Sequence, residues 1–297
     1  MLKGKRKVSY VALSALTSFS LLVAAACGDD DDDDDSDNGD NGGGALVSAD
    51  VDCSALGVEA PARITEAGTL TVASDLSYAP MEFVREGTND PIGVDVDIAN
   101  CIAEAWGVES NVQNTPFDAI IPSLTSGQAD IIMSSLSVTP ERAEQVDFVE
   151  YMVAGSGILV EEGNPEDIQS LEDLCGLNVA IQLGTVQIDE AEEQNASCDE
   201  PIEIQTYEQN TDTIAAVGSG RAAAALMDYP VAAYGAAQVD GADVVGAQYN
   251  TGPYGIAVRK DDTEVRDAIQ ATIDAMREGG QYDDILAYWG VEAGALD

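Results

Sequence analysis

The sequence predicts an α/β fold with largely parallel strands, built as two lobes that face each other across a cleft. Three observations predict it. Strand-like and helix-like patterns alternate from about residue 66 to the C-terminus, the pattern of a parallel sheet with crossover helices. Two segments share one shape: "SLTSGQADIIMSS" (123–135) and "AAVGSGRAAAALMDY" (215–229) each run helix, Ser-Gly turn, small-residue strand, polar residues. About 245 residues follow an acidic stretch near the N-terminus, enough for one large or two medium domains.

The first element is an export signal, expected over 1–26. Lys3, Lys5, Arg6 and Lys7 form a basic start, Val8 to Ala26 is apolar, and Ala24, Ala25 and Ala26 precede Cys27. The junction resembles a bacterial lipoprotein signal, in which Cys27 becomes the lipidated first residue of the mature chain. The usual form has Leu three residues before the cysteine, where this chain has Ala24. An ordinary signal peptide cut after Ala-x-Ala is the alternative. A retained transmembrane anchor fits less well, because the run is short and serine-rich. Residues 27–50 then read as a tether: seven aspartates, Asp29 to Asp35, followed by Asp, Asn, Gly and Ser. Such a segment buries too little surface to fold, and like charges keep it extended, with a reach of at most about 80 Å. Lipidation would place the protein outside the cell, anchored to the outer face of the membrane.

Charge and composition exclude several functions. The chain carries 12 Lys and Arg against 55 Asp and Glu, a formal net charge of −43. Removing the signal leaves 8 bases, of which Lys260 is the only lysine. Nucleic-acid binding rests on Lys and Arg at phosphates, so such a partner is not expected. Histidine is absent, which removes the commonest general base and metal ligand. No metal and no cofactor are expected. After Cys27 four cysteines remain, Cys53, Cys101, Cys175 and Cys198, with no CxxC and no zinc spacing. An even number in an exported chain suggests disulfides, and three pairings are possible.

The elements follow in order. "GTLTVASD" (68–75) is a strand ending at Asp75. In "VDIANCIAEAWG", Ile98, Ile102 and Trp106 share a helical face. "TPFDAIIPSLTSG" predicts a helix with Thr115 as N-cap and Pro116 at its first position. "ADIIMSS" is a buried strand that delivers Ser134, Ser135 and then Ser137. "TPER" repeats the Thr-Pro start at Thr139 and Pro140. "NVAIQ", "IEIQTY" and "AAAALMD" are strands, the last ending at Asp228. "DDTEVRDAIQATIDAMREGG" is an amphipathic helix with Val265, Ile269, Ile273 and Met276 on one side and Gly279-Gly280 as its stop. In open α/β sheets ligands sit at the carboxyl ends of strands, where Asp75, Ser134, Ser135, Ser137 and Asp228 are delivered.

"SDLSYAPMEF", "GVDVDIA", "FDAIIPSLTSGQADIIMSSLSVTPERAEQVDF", "QLGTVQ", "GRAAAALMDYPVAAY" and "YGIAVRKDDTEVRDAI" occur in this order. Together they resemble the amino-acid branch of the extracellular solute-binding proteins that feed ABC importers, from about residue 66 to 290. The resemblance implies a two-lobed periplasmic-binding-protein type II fold, with mixed sheets flanked by helices and a hinge of two crossover strands. Lobe one would be 66–156 plus 252–297, and lobe two 157–251. Each of the pairs Cys53–Cys101 and Cys175–Cys198 falls within one lobe, so these pairings are preferred. The expected ligand is a free L-amino acid, captured by cleft closure, and the expected partners are the importer's membrane subunits. A monomer without catalytic activity is implied.

A free amino acid presents a carboxylate and an ammonium. The carboxylate suits the Arg142 fork in the first turn after Thr139-Pro140, with Ser135 and Ser137 beside it. Thr185, after Gly184, would donate from lobe two; Val186 stands where many relatives have a second Thr, and Gln187 is the candidate to compensate. Asp228 matches the family position that pairs with the ammonium. Asp75 and Tyr78 match a side-chain-binding pair. Asp75 accepts only, so it favours Arg, Lys, His, Orn or Gln. Tyr78 and Phe117 could stack on an aliphatic stem, a guanidinium or an amide. Two alternatives remain open: an exported enzyme on the same fold, such as a cyclohexadienyl or arogenate dehydratase with Glu82 as a conceivable acid, or a receptor that hands its ligand to a signalling partner.

Overall fold

The computed structural model describes residues 47–238 and 241–296, so the expected signal peptide, Cys27 and the aspartate run lie outside the described residues. Helix α1 (Ala62–Ala67) ends at Gly68 in the left-handed region, φ 72°. Strand β1 (Thr69–Ser74) follows at once. A small antiparallel sheet comes next, made of β2 (Ser77–Tyr78), β3 (Glu82–Val84) and β4 (Pro91–Ile92). Gly93 turns the chain into α2 (Val94–Ala105); a Cβ there would lie 2.2 Å from the Met81 carbonyl oxygen, so only glycine fits. Ile98, Ile102 and Trp106 are buried as expected, but so are Asp95 and Asp97 on the same helix.

Strand β5 (Glu109–Asn114) pairs in parallel with β1. The expected helix start at Thr115 does not form. Pro116 is extended (ψ 136°), a 3₁₀ turn spans Phe117–Ala119, and α3 (Ile120–Thr125) begins only afterwards. The Thr115 hydroxyl donates to the Gln113 carbonyl instead of capping. A second proline, Pro122, sits in the first turn of α3, where its missing N–H costs no helical bond. Strand β6 (Ile131–Ile132) is short and fully buried. The second Thr-Pro start does form. α4 (Pro140–Gln145) has Pro140 at its first position, and the Thr139 side chain accepts from the Arg142 N–H.

Strand β7 (Val146–Glu161) crosses the molecule. Beyond it lie β8 (Asn178–Gln182), α5 (Val186–Asn195), β9 (Glu203–Tyr207), α6 (Asn210–Gly218), β10 (Ala224–Asp228) and α7 (Tyr229–Gln238). Strand β11 (Ala242–Arg259) crosses back. Helices α8 (Thr263–Gly279) and α9 (Gln281–Trp289) close the chain. Val265, Ile269, Ile273 and Met276 of α8 are all buried, and Gly280, at φ 89°, ends the helix.

One eight-stranded mixed sheet runs in the order β5-β1-β6-β11-β7-β10-β8-β9. Its two parallel trios flank the antiparallel β7–β11 pair, which joins them. The pairing from Val146–Arg259 to Glu161–Ala242 is interrupted by register shifts on both sides of Tyr249 and again at Tyr254–Gly255. Bulges of this kind bend a strand locally. Gly155 lies opposite this region, where a Cβ would approach the Tyr249 carbonyl oxygen to 2.5 Å.

Disulfides Cys53–Cys101 and Cys175–Cys198 are formed, with Cα separations of 5.3 and 5.4 Å. The first ties residues before position 66 to α2. Residues 47–50, read from sequence as the end of the tether, are also held. The Ala49 N–H donates to Asp97 Oδ2, which accepts Trp289 Nε1–H as well, and the Tyr288 hydroxyl donates to the Val47 carbonyl. The attachment follows from Asp97, a buried acceptor that the apolar pattern of α2 does not reveal.

Candidate ligand-binding site

The parallel strands end on one edge of the sheet. Asp75 follows β1, Ser134 and Ser135 follow β6, Gln182 ends β8 and Asp228 ends β10. A pocket lies there, lined by Asp75, Tyr78, Phe117, Ser135, Ser137, Arg142, Thr185, Gln187 and Asp228, together with Glu82, Gln182 and Val186. Nine of the ten residues selected from sequence thus share one pocket. Ser134 does not line it. Its side chain is fully buried behind the wall, accepting from the Asp75 N–H (2.9 Å) and donating to Glu82 Oε1 (2.9 Å). The backbone turns at Ser135, φ 44°, so the two adjacent serines do not face the same way, and Ser135 rather than Ser134 lines the cleft.

Arg142 reaches across the cleft. Nη1 donates to the Ser137 carbonyl (2.9 Å) and Nη2 to the Gly184 carbonyl (3.1 Å), and the guanidinium lies 5.5 Å from the Phe117 ring centroid. Among the described residues no carboxylate comes within 4.0 Å of it. Burial lowers its pKa, and the more distant charges of Asp228, Asp189 and Glu141 act the other way. Gly184, at φ 83°, makes the turn before α5, with its Cα side packed on Asp118. The Thr185 hydroxyl donates to the Gln182 carbonyl at 2.8 Å, so its proton is engaged within the turn.

Asp228 is buried on the opposite side. Its Oδ1 accepts from Gln187 Nε2 (2.9 Å), and its N–H donates to the Tyr78 hydroxyl (2.9 Å). Burial raises its pKa, against the nearby Tyr254 and Tyr78 hydroxyls, the hydrogen bond from Gln187 and the positive charge of Arg142. Tyr78 is held protonated by burial and by the neighbouring Asp228 charge.

Asp75 forms the third charged wall. Its Oδ2 accepts from Gln182 Nε2 (2.6 Å). Burial raises its pKa, opposed by hydrogen bonds from Ser77 and Gln182. Gln182 was not selected from sequence, although it ends "NVAIQ" as Asp228 ends "AAAALMD". The same strand-end rule would have found it.

Beneath this wall lies a pair of carboxylates. Glu82 and Asp95 are both 1% exposed. The Ser135 hydroxyl lies 3.4 Å from Glu82 Oε2 and from Asp95 Oδ2, and the Ser135 N–H donates to Asp95 Oδ2 at 2.6 Å. The Tyr151 hydroxyl donates to Asp95 Oδ1 at 2.7 Å. Burial pushes both carboxyl pKa values up, and the Asp95 charge pushes Glu82 further. Two anions so close favour sharing one proton. The pair fixes Ser135 in the left-handed region, φ 44°, where a non-glycine residue is strained. Asp95 falls on the same helical stripe as Ile98 and Ile102, three and seven residues on, but no sequence pattern marks it as the partner of Glu82.

A two-lobed α/β scaffold with a cationic fork facing a buried carboxylate across a cleft defines a receptor for a small solute. The profile of the bacterial extracellular solute-binding proteins, family 3, matches residues 70–292, and the chain belongs to that family. It is similar to the arginine-binding protein ArgT of Corynebacterium glutamicum, 32% identical over 243 residues that span 80% of this chain and 79% of the relative. Among solved structures, an ancestral arginine-binding protein bound to arginine superposes with a TM-score of 0.70 at 33% identity, covering 75% of this chain and 98% of that one. An ancestral amino-acid-binding protein described as a precursor of cyclohexadienyl dehydratase superposes with a TM-score of 0.71 at 37% identity, covering 76% and 97%. The fold is thus the type II periplasmic-binding-protein fold. Among the described residues no helix is long and apolar enough to cross a membrane, and no group of three or more potential metal ligands occurs.

Proposed function

We propose that the protein captures a free L-amino acid with a basic or polar side chain by cleft closure and delivers it to the membrane subunits of an ABC importer. The observation that carries this reading is one pocket holding Arg142, Asp228 and Asp75. Arg142 takes the ligand's carboxylate and Asp228 its ammonium, a pairing that a zwitterion satisfies and a simple acid does not. Asp75 accepts from the ligand's side chain, and Phe117, already stacked under a guanidinium, offers its face to a second. Arginine-binding relatives support a cationic ligand. A ligand bridging Arg142 and Asp228 touches both lobes, and it favours closure by its differential affinity for the closed form. The chain acts outside the cell as a monomer, held to the outer face of the membrane by lipid on Cys27. No catalysis is required.

The test is a thermal-shift panel of the twenty amino acids, ornithine and citrulline on the domain from residue 51, followed by calorimetry with Asp75→Ala. Stabilisation by Arg, Lys, His or Orn, weakened in the variant, is expected. A response to Gln alone would move selectivity away from Asp75. No response to any amino acid would overturn the reading.

The dehydratase-like alternative has one specific support, the solved neighbour described as a precursor of such an enzyme. Glu82, whose pKa burial raises, is the acid it would use. Turnover of a cyclic acid substrate by the purified chain would favour it.

A further inference from the structure

Glu190 lies on α5 outside the pocket, one turn beyond Gln187. Its Oε1 accepts from the Ser156 hydroxyl (2.9 Å) and from Asn250 Nδ2 (3.0 Å). Ser156 accepts in turn from Gln187 Nε2 (3.0 Å), and the same Gln187 amide donates to Asp228 Oδ1 (2.9 Å). A continuous hydrogen-bonded path therefore runs from Asp228 in the pocket to Asn250 in β11.

The far end of that path is the bend in the crossing strands. Ser156 pairs with Asp228 in the β7–β10 ladder and with Tyr249 in the β7–β11 ladder. Register shifts flank Tyr249, and Asn250 occupies the left-handed region, φ 48°. The path is thus anchored where β11 departs from regular pairing with β7. Glu190 Oε2 is buried without a hydrogen-bond partner among the described residues. The Tyr249 hydroxyl, also buried and without a hydrogen-bond partner, is the neighbouring group on that side. The charged and titratable groups facing it are Asp228 and Tyr249, and no cation joins them among its close partners.

We propose that Glu190 is a positioning residue that couples a cation held at Asp228 to the bulge in β11, and so controls how readily the closed cleft reopens. The proposal rests on the amino-acid reading given above. An ammonium at Asp228 neutralises the carboxylate whose charge opposes that of Glu190. Relief of that repulsion strengthens the Glu190 carboxylate as an acceptor from Ser156 and Asn250 along the hydrogen-bonded path. The bulge is held against α5, the element that carries Gln187 to the ligand.

The test uses the mature chain with Glu190→Ala and Glu190→Gln. The glutamine retains an oxygen that accepts from both donors. Hydrogen exchange of the ligand-free chain is read over 246–252, and stopped-flow kinetics are read with the amino acid that stabilises the wild type most. For Glu190→Ala, exchange in that segment rises about tenfold and koff rises about tenfold, with kon within about twofold, while Glu190→Gln stays near wild type on both. The koff effects of Glu190→Ala and Gln187→Leu are non-additive, because both cut one path. Unchanged exchange and unchanged koff in Glu190→Ala, even with a lower Tm, would overturn the proposal. A wild type that binds no amino acid overturns the functional reading separately, and the exchange measurement then still decides whether Glu190 holds the bulge.

Discussion

Glu82→Gln is the substitution that reads the pocket floor most directly. Glu82 and Asp95 are fully enclosed and share the Ser135 hydroxyl between them. Both folded-state pKa values lie above those of the unfolded chain, chiefly through burial. The folded protein therefore holds more protons than the unfolded one at pH values between the two. The stabilisation is fully present below the unfolded pKa values and is lost as pH rises toward the folded ones. One excess proton gives a slope of at most about 1.4 kcal/mol per pH unit in that window. Glutamine reproduces the protonated state permanently: its carbonyl can accept from Ser134, and its amide can donate to Asp95. The expected result is that Glu82→Gln matches wild type at pH 5 and becomes the more stable protein as pH rises toward 8. The assay is urea denaturation at half-unit steps from pH 5 to 8, without ligand. Other carboxylates titrate equally in both proteins, so the difference isolates the pair. Parallel curves would refute the shared proton. A variant less stable at every pH would show that the floor needs the charged carboxylate rather than its protonated form.

Two further predictions concern local structure. Thr139→Ala removes the cap of α4 and should cost about 1 kcal/mol in urea melts, with ligand affinity falling several-fold because Arg142 is the residue whose N–H that cap accepts. Replacing Cys175 and Cys198 together by serine opens a 23-residue loop and should cost about 3 kcal/mol. The same change at Cys53 and Cys101 opens a 48-residue loop and should cost about 4 kcal/mol, read as shifts in denaturation midpoint.

Much of this fold is legible where local signals agree. The α8 stripe, the "NVAIQ" strand and the Thr139-Pro140 start each combine pattern with a terminator or cap, and each forms as read. Thr115-Pro116 carries the same dipeptide and fails, because Pro122 follows six residues later and the helix begins beyond a 3₁₀ turn. The pocket residues at strand ends were legible because chain direction delivers them to one edge. Ser134 shows the limit of that rule, since position along the chain gives the edge but not the face. Asp95, Asp97 and Glu190 were not legible. Their roles depend on partners 56, 48 and 60 residues away, at Tyr151, Ala49 and Asn250, and no local period encodes such contacts. Buried polar groups need partners, and only the tertiary structure supplies these.

Arg142 ties the composition to the site. The chain has 55 acids and 12 bases, so carboxylates greatly outnumber the cations that could pair with them. Arg63, Arg85, Arg259, Lys260 and Arg266 all have a carboxylate within 4.0 Å, while Arg221 and Arg277, which lie outside the pocket, bond the Ser219 hydroxyl and the Leu296 carbonyl. Arg142 instead spends its hydrogens on the carbonyls of Ser137 and Gly184 and rests on Phe117. Desolvating a cation without a counter-ion is unfavourable, and here the loss is offset by neutral acceptors and by the more distant charges of Asp228, Asp189 and Glu141. An anionic side chain beside Arg142 would stabilise the unliganded fold and would also neutralise the guanidinium before any carboxylate arrived. Leaving the guanidinium without such a partner keeps its charge for a ligand that brings its own, as the proposed role of Arg142 in taking an amino acid's carboxylate requires.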